Sequence, residues 1–384
     1  MSGREDVRLY WLWLQHALGA GSRKTKAVLE RFDSISSFYH GGEREWRLCG
    51  CFNQKELSQL KEATLGEAEA VIKRSEALGL NILTPEEFPE RLLEIANPPC
   101  ALFLKGELPN LDEEAAVAIV GTRSATPYGL EMAFELAFQL SKAGVVVVSG
   151  GALGVDASSH KGALQAGGKT IAVLGCGVNY DYLRTNASLR HTIANQGALV
   201  SEYPPDSPAP AYHFPIRNRL ISALSLGTLV IEAGEKSGSL ITANLALEQG
   251  RDVFALPGSV QSSVSRGTNN LIKAGAKPVT DVEDILEEYR ARYSAKIKTQ
   301  RMNASEQKEA ISHTLHKRTR EELKKEGLSE DAALLYLCME SEPRHIDVLL
   351  QQAGLNVPAA MQALTELELL QLARAWPGRQ YSYL

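Results

Sequence analysis

Cations, hydroxyls and glycines follow directly after the apolar runs in the middle of the chain. Arg123 comes straight after Gly121 and Thr122, at the end of the run AVAIV. A guanidinium in such a place can form two parallel hydrogen bonds to a phosphate, and glycine lets the backbone approach the ligand closely. The same residue types recur in three further groups. The first is Ser149, Gly150 and Gly151 with Lys161, the second is Arg217, Asn218 and Arg219, and the third is Lys236, Ser237, Gly238 and Ser239. This pattern predicts an anion-binding crevice that suits a phosphate-bearing ligand.

These segments lack the fingerprints of the common nucleotide cofactors. GTRSATPYG does not fit G-x-G-x-x-G, and no acidic residue follows at the spacing that binds an adenosine ribose. The chain also contains no G-x-x-x-x-G-K-[ST] motif. We therefore expect neither a dinucleotide nor ATP as the ligand, and we predict no cofactor.

Four titratable side chains near the same segments are candidates for catalysis: Asp156, His160, Glu202 and Glu232. Asp156 is equally suited to a helix N-cap, and Glu232 to local hydrogen bonding. The chain has no G-x-S-x-G nucleophile signature. The structural roles are favoured, and a nucleotide or nucleoside-monophosphate hydrolase that uses Glu232 is the alternative.

The elements that must position these residues are apolar runs of strand length. The runs are AVAIVG, VVVVSG, TIAVLG, LVSEYP, LVIEAG and VFALPG. They are nearly continuous rather than alternating, as expected of strands buried on both faces. Helical patterns lie between them, one of which begins at Pro127 and ends at Gly144. This order predicts an α/β fold with a doubly wound, Rossmann-like parallel sheet that binds its ligand at the carboxyl ends of the strands.

The pattern divides the chain into four parts. We predict a helical domain (sterile-alpha-motif-like or helix-hairpin-helix-like) over 1–66, an extended Rossmann-like domain over 67–290, a charged linker over 291–330 and a winged-helix domain over 331–384. The glycine turn at 19–21 could present backbone amides to a DNA phosphate, or serve only helix packing. The third helix of the last part, PAAMQALTELELL, contains no lysine or arginine, which disfavours a role in reading duplex DNA.

Composition limits the possible partners. Of the 384 residues, 44 % are hydrophobic and 23 % charged, and the net charge is −5, so any nucleic-acid site must be a local patch. The five cysteines form no C-x-x-C pair, and no apolar stretch reaches the roughly 18 residues needed to cross a bilayer. We expect a cytoplasmic protein with reduced thiols and no membrane contact.

Several long motifs carry a resemblance to a known family. GTR is followed, in order, by SGGALGVDASSHKGAL, TIAVLGCGVNYDYLRTNASL, SEYPP, HFPIRNRLISALS, LVIEAGEKSGSLITANLALEQGRDVFALPG and SRGTNNLIKAGA. Over nearly all of 115–285 these segments resemble, in order and spacing, the family of the DNA-processing protein DprA, also called Smf. The patterns of the two flanking domains are similar to that family as well.

The resemblance implies a non-enzymatic protein that binds single-stranded DNA, protects it during natural transformation and loads RecA recombinase onto it for homologous recombination. It also implies a homodimer formed through the Rossmann-like domain. On the matching positions, the phosphate pocket would be formed by Arg123, Arg217, Asn218, Arg219, Ser237, Gly238 and Ser239. Leu153 stands where many relatives have a basic residue, and Lys161 is the candidate to compensate for it.

Aromatic side chains near the strand ends would give the bases of a single strand faces on which to stack. The candidates are Tyr128, Tyr180, Tyr182, Tyr203, Tyr212 and Phe214. For each ring, burial in the local core is the alternative.

Overall fold

The computed structural model describes residues 6–294, 296–297, 319–320, 323, 328–340, 343–370, 372–376 and 378–383. The chain forms two compact units, Met1–Gln300 and Arg301–Leu384. Most of the predicted linker over 291–330 lies outside the described residues. Tyr293 and Ile297, near its start, are buried in the core of the first unit, because both side chains are apolar enough to pack under the sheet.

The described N-terminal residues form helices α1 (Val7–Leu18), α2 (Lys24–Arg31), α3 (Ile35–Leu48), α4 (Gln54–Glu62) and α5 (Leu65–Ala77). Side-chain caps begin several of them; Asn53 and Glu56, for example, form a reciprocal capping box at the start of α4. Trp13, Phe38 and Trp46 pack together where the helices meet. The same hydrophobic cluster includes residues of the sheet domain, so these helices share a core with it.

The apolar runs form a nine-stranded sheet with the order β1-β2-β6-β5-β4-β3-β7-β8-β9. The strands are β1 (Asn81–Leu83), β2 (Leu102–Gly106), β3 (Ala116–Val120), β4 (Val146–Ser149), β5 (Thr170–Leu174), β6 (Ala198–Ser201), β7 (Gly227–Val230), β8 (Asp252–Ala255) and β9 (Lys277–Pro278). Strands β3 to β9 are parallel to one another. The predicted parallel sheet is confirmed, and β1 and β2 extend it as an antiparallel edge next to β6.

Helices cover both faces of the sheet. They are α6 (Glu90–Leu93), α7 (Pro127–Lys142), α8 (Val155–Gln165), α9 (Ala187–Gln196), α10 (His213–Ala223), α11 (Gly238–Glu248), α12 (Arg266–Lys273) and α13 (Glu283–Arg290). Helices α7, α8 and α13 contribute to the core on one face, and α10 and α11 to the core on the other. Thr126 caps α7 ahead of a proline in the first turn, as the sequence predicts.

The strand order reverses at β3. From β3 the chain adds β4, β5 and β6 on one side, and then β7, β8 and β9 on the other. At such a switch point the loops that leave the neighbouring strands β3 and β7 diverge toward opposite faces. The fold therefore creates a crevice between these two strands, at their carboxyl ends.

The described residues of the second unit form helices α14 (Glu330–Cys338), α15 (Ile346–Ala353) and α16 (Val357–Leu369) with strands β10 (Arg344–His345), β11 (Ala373–Trp376) and β12 (Gln380–Tyr383). The three strands pair as an antiparallel sheet in the order β10-β12-β11. This arrangement confirms the predicted winged-helix domain, with PAAMQALTELEL in its third helix. Among the described residues, no helix combines the length and the apolar character that crossing a membrane requires.

Candidate anion-binding site

A cavity of about 370 Å³ opens at the switch point between β3 and β7. The loops after β3 and β4 form one side of it, and the first turns of α10 and α11 form the other. The predicted site residues that line it are Gly121, Thr122, Arg123, Arg217, Asn218, Ser237, Gly238 and Ser239. The structure thus brings together side chains that are far apart in the sequence, at the edge of the sheet where they were expected.

Arg217 is the buried cation of this cavity. The residue is 4 % exposed, and its Nε has no hydrogen-bond partner among the described residues. Burial lowers the pKa of its guanidinium, and the nearby Asp156 carboxylate, which lines the same cavity, opposes that effect. A polar atom of a buried charge that lacks a hydrogen-bond partner is costly. The arrangement is therefore suited to an anion that approaches through the cavity.

Because Gly150 has no side chain, the side chains of Arg217 and Asp156 can lie close to its backbone. A Cβ atom on Gly150 would collide with Nη1 of Arg217 and would lie 2.7 Å from Oδ2 of Asp156. Asp156 Oδ2 accepts a hydrogen bond of 3.2 Å from the amide of Ala152, and burial raises the pKa of this carboxyl. The glycine after β4 is thus required by the close approach of two side chains that face the cavity.

Phe214 contacts both guanidinium groups of the cavity. The Cζ atom of Arg123 lies 5.0 Å from the centroid of the Phe214 ring, and Cζ of Arg217 lies 5.8 Å from it. Cation–π contacts of this length favour cations placed over the ring face. Arg123 itself is exposed. The ring therefore holds an exposed cation and a buried one near the same opening.

The first turn of α11 adds hydrogen-bond donors. Ser237 caps this helix by accepting a hydrogen bond of 3.4 Å from the amide of Ser239, and the two hydroxyl oxygens lie 2.8 Å apart. The helix N-terminus carries a partial positive charge that favours anions. Asn218 Nδ2 donates to the carbonyl oxygen of Gly238 over 3.4 Å, which ties α10 to this turn.

Gly150 and four more predicted phosphate ligands, Ser149, Gly151, Lys161 and Lys236, do not line the cavity. The hydroxyl of Ser149 is buried and donates to the carbonyl oxygen of Ile119 over 2.6 Å. Gly151 lies on the loop behind the cavity wall with φ +67°, a conformation that favours glycine. The side chains of Lys161 and Lys236 are exposed at its outside, like that of Leu153. A role for these four residues in phosphate binding stays a prediction.

Arg219 was predicted to line the same pocket as Arg217, and this placement is wrong. Arg219 is 2 % exposed, and its Nη2 lies 2.6 Å and 2.7 Å from the two carboxylate oxygens of Glu202, which is also 2 % exposed. Positions two apart on a helix point about 200° apart around its axis. Because Arg217 faces the cavity, Arg219 must face the other way, toward the N-terminal helices.

Glu202 also binds the glycine turn of the N-terminal domain. Its Oε1 accepts a hydrogen bond of 3.0 Å from the amide of Gly21, and Gln15 Nε2 donates to its carbonyl oxygen. A Cβ atom on Gly21 would lie 2.7 Å from the side chain of Ile216 on α10. The turn therefore packs on the sheet domain, which supports the packing alternative over a phosphate contact for this amide.

The two other catalytic candidates have structural partners as well. Glu232 is 3 % exposed, and its oxygens accept hydrogen bonds from the hydroxyl and the amide of Thr126 over 2.6 Å and 2.9 Å. It thereby fixes the start of α7 and does not line the cavity. His160 is a fully buried residue of α8, its Nδ1 lies 2.8 Å from the hydroxyl of Thr170, and burial lowers its pKa to about 3.

The aromatic candidates differ in how much of each side chain is exposed to solvent. Tyr203 is buried and stacks on His213 with ring centroids 3.7 Å apart, so its role is packing. Tyr182 packs against Phe214 at 5.5 Å. Tyr212 is 67 % exposed at the start of α10. Tyr128 and Tyr180 are also exposed.

Several lining residues were not predicted, Ile241 and Thr242 among them. Ile241 and Thr242 line the cavity from α11, one turn after Gly238. Their spacing of three and four residues from that glycine places them on its side of the helix, which is the signal that would have identified them. Within the described residues, no cluster of three or more His, Cys, Asp or Glu side chains is placed to hold a metal ion.

Two family models match the chain. Residues 80–290 match DNA recombination-mediator protein A, and residues 319–379 match the DprA winged helix domain. The chain is 40 % identical to Protein Smf of Escherichia coli over 294 residues, which cover 76 % of this chain and 74 % of that protein.

Two solved structures are similar to it. The DprA structure from Streptococcus pneumoniae has a TM-score of 0.63 and 32 % identity, over 73 % of this chain and 97 % of that one. A Helicobacter pylori structure, described as showing the single-stranded DNA binding mode of that organism's DNA processing protein A, has a TM-score of 0.51 and 34 % identity, over 56 % of this chain and 97 % of that one.

Proposed function

The chain belongs to the family of DNA recombination-mediator protein A, and we propose that it binds single-stranded DNA through the cavity at the β3–β7 switch point. The observation that carries this proposal is the buried guanidinium of Arg217, whose Nε lacks a hydrogen-bond partner among the described residues and which lies beside the exposed Arg123. A phosphate of the strand would supply the missing hydrogen bonds and offset the cost of burial. The single-stranded DNA bound by the Helicobacter pylori relative supports this choice of ligand.

The chemistry of the cavity favours the backbone of the strand over its sequence. Guanidinium groups, serine hydroxyls and a helix N-terminus all bind phosphate oxygens, and such contacts carry no sequence information. The Phe214 ring, with its hydrophobic face, adds a surface that any base can contact. The protein would therefore bind strands of many sequences, with an affinity that falls steeply as salt rises.

The finer role that we propose rests on the family. It comprises protection of incoming single strands, loading of RecA recombinase onto them during natural transformation or homologous recombination, and assembly as a homodimer through the Rossmann-like domain in the cytoplasm. We propose a non-enzymatic mode of action, since Glu232, the residue on which the hydrolase alternative depends, is bonded to Thr126 outside the cavity.

A competition assay tests the proposal. A labelled single strand is bound to the full chain and challenged with unlabelled single-stranded or duplex DNA of the same length. We expect the single strand to displace the label at concentrations at least tenfold below those of the duplex. Equal competition by the duplex would overturn the assignment. Stimulation of RecA-dependent strand pairing by the protein, measured separately, tests the loading role.

A further inference from the structure

A second cavity, of about 480 Å³, lies on the other side of the α10 start. The N-terminal helices close it on one side, and the segment between β6 and α10 closes it on the other. Tyr212, His213 and Ile216 line this second cavity, whereas Phe214 and Arg217 line the first. The two cavities thus lie on different sides of the first turns of α10, and Tyr212 and Arg217 are about 7.5 Å apart along the helix axis.

The walls of the second cavity are aromatic and apolar. His213 stacks on Tyr203 at the cavity wall, and the ring of Tyr212 meets that of His213 edge-on, with centroids 4.7 Å apart. Pro204, Pro208 and Pro210 also line it. The ring of Tyr212 is mostly exposed, so one of its faces is open to a planar ligand.

The charges of the second cavity do not favour a phosphate. Glu67 and Glu202 line it, and none of its described lining residues is a lysine or an arginine. Glu67 lies 3.2 Å from His16, and Glu202 is already paired with Arg219. This lining therefore offers no lysine or arginine to attract an anion, and a neutral planar group suits it better. This is the reverse of the first cavity, where two guanidinium groups favour an anion.

The geometry points to a nucleobase site: a base of the strand whose phosphate binds at Arg217 stacks on Tyr212 and enters the second cavity. This inference rests on the proposed binding of single-stranded DNA. It assigns the N-terminal helices a part in DNA binding, since they form the far wall of the base site. Because every base has a flat face, stacking at Tyr212 would not select a sequence.

The test compares two strands of equal length and charge, an oligothymidylate and an abasic strand of deoxyribose phosphate units. Stacking on one aromatic ring changes affinity by roughly 5- to 150-fold. We expect Tyr212→Ala to bind the oligothymidylate about tenfold more weakly and the abasic strand with unchanged affinity. Tyr212→Phe, which keeps the ring, should bind both strands like the parent.

Several results would overturn the base site while leaving the phosphate site intact. The first is a Tyr212→Ala variant that binds the oligothymidylate as tightly as the parent protein does. The second is a Tyr212→Ala variant that loses the same affinity for both strands. Arg123→Ala is the opposite control, because it should weaken both strands alike. If the parent protein binds neither strand, the proposed function itself fails, and the two failures are thereby distinguished.

Discussion

Arg217 and Arg219 are two residues apart on α10, both are buried, and they face opposite surroundings. Arg217 faces the cavity at the switch point, and its Nε, like Nε and Nη1 of Arg219, has no hydrogen-bond partner among the described residues. Arg219 is held by Glu202 at 2.6 Å and 2.7 Å. One arginine is therefore placed to bind a ligand, and the other joins the N-terminal helices to the sheet. The two should respond differently to the same substitution.

Arg217→Ala should weaken binding of single-stranded DNA by about tenfold or more, and Arg123→Ala should do the same. Each removes one cation that neutralises a phosphate, so the dependence of log affinity on log salt should become shallower by about one unit. A salt titration with a labelled strand measures both effects. Lys73→Ala, which removes an exposed lysine on α5, serves as the control and should match the parent. Parental behaviour of both arginine variants would contradict the site.

Gly150→Ala should impair DNA binding through a steric effect alone. The added methyl group would displace the guanidinium of Arg217 and press on the Asp156 carboxylate. Gly66→Ala in α5 is a matched control outside the cavity, because its Cβ would meet only Oγ1 of Thr64, at 3.9 Å. We expect the first variant to lose about as much affinity as Arg217→Ala and the second to keep it. Equal affinities of the two glycine variants would argue against the position of Arg217.

Arg219→Ala should lower the free energy of unfolding by about 3–5 kcal/mol, because it leaves the buried Glu202 carboxylate without its partner. Urea unfolding, followed by the fluorescence of Trp11 and Trp13 in α1, measures this change. The double variant Glu202→Gln with Arg219→Met should recover most of the loss, since neither charge then remains buried. A loss well under 1 kcal/mol for Arg219→Ala would contradict the buried pair.

His160 should make the protein less stable as the pH falls. Burial lowers its pKa in the folded state to about 3, from 6.5 in the unfolded chain. Between these values the unfolded chain binds a proton that the folded chain does not, so the free energy of unfolding should fall by up to about 1.4 kcal/mol per pH unit. His160→Asn can still donate to Thr170, and its stability should vary less with pH. If the free energies of unfolding of His160→Asn and the parent changed in parallel from pH 6.5 to 4, the result would contradict this account.

Incubation with nucleoside monophosphates should release no base, because Glu232 is bonded to Thr126 and does not line the cavity. Chromatography of the products provides the measurement. Base release that disappears in Glu232→Gln would restore the hydrolase alternative. The same variant should be less stable than the parent, since glutamine has a single acceptor oxygen and one of the two Thr126 donors would face an NH2 group.

The parallel sheet and the position of the crevice could be predicted because they depend on local patterns. Runs such as VVVVS are apolar on both faces, and such strands become buried between helices. The glycines after them mark the carboxyl ends of the strands, which share one edge of a parallel sheet. Arg123 and Arg217 could be placed near that edge for the same reason.

The direction of each side chain could not be predicted in this way. The helical period shows that Arg217 and Arg219 lie on different sides of α10, but not which side meets the cavity. The docking of the N-terminal helices decides it, because Glu202 and the turn at Gly21 occupy the side of Arg219. The antiparallel strands β1 and β2 likewise depend on pairing with β6 across a large sequence separation.

For the glycine-rich crevice, the fold class, the edge of the sheet and the residue types at that edge follow from composition and spacing along the chain, so the sequence was enough to predict them. The packing of the folded chain is what turns one arginine of α10 toward the crevice and pairs the other with Glu202. It also brings Tyr212 beside a second cavity whose described lining contains no lysine or arginine. Burial and pairing depend on residues that are distant in the sequence and become neighbours only when the domains pack.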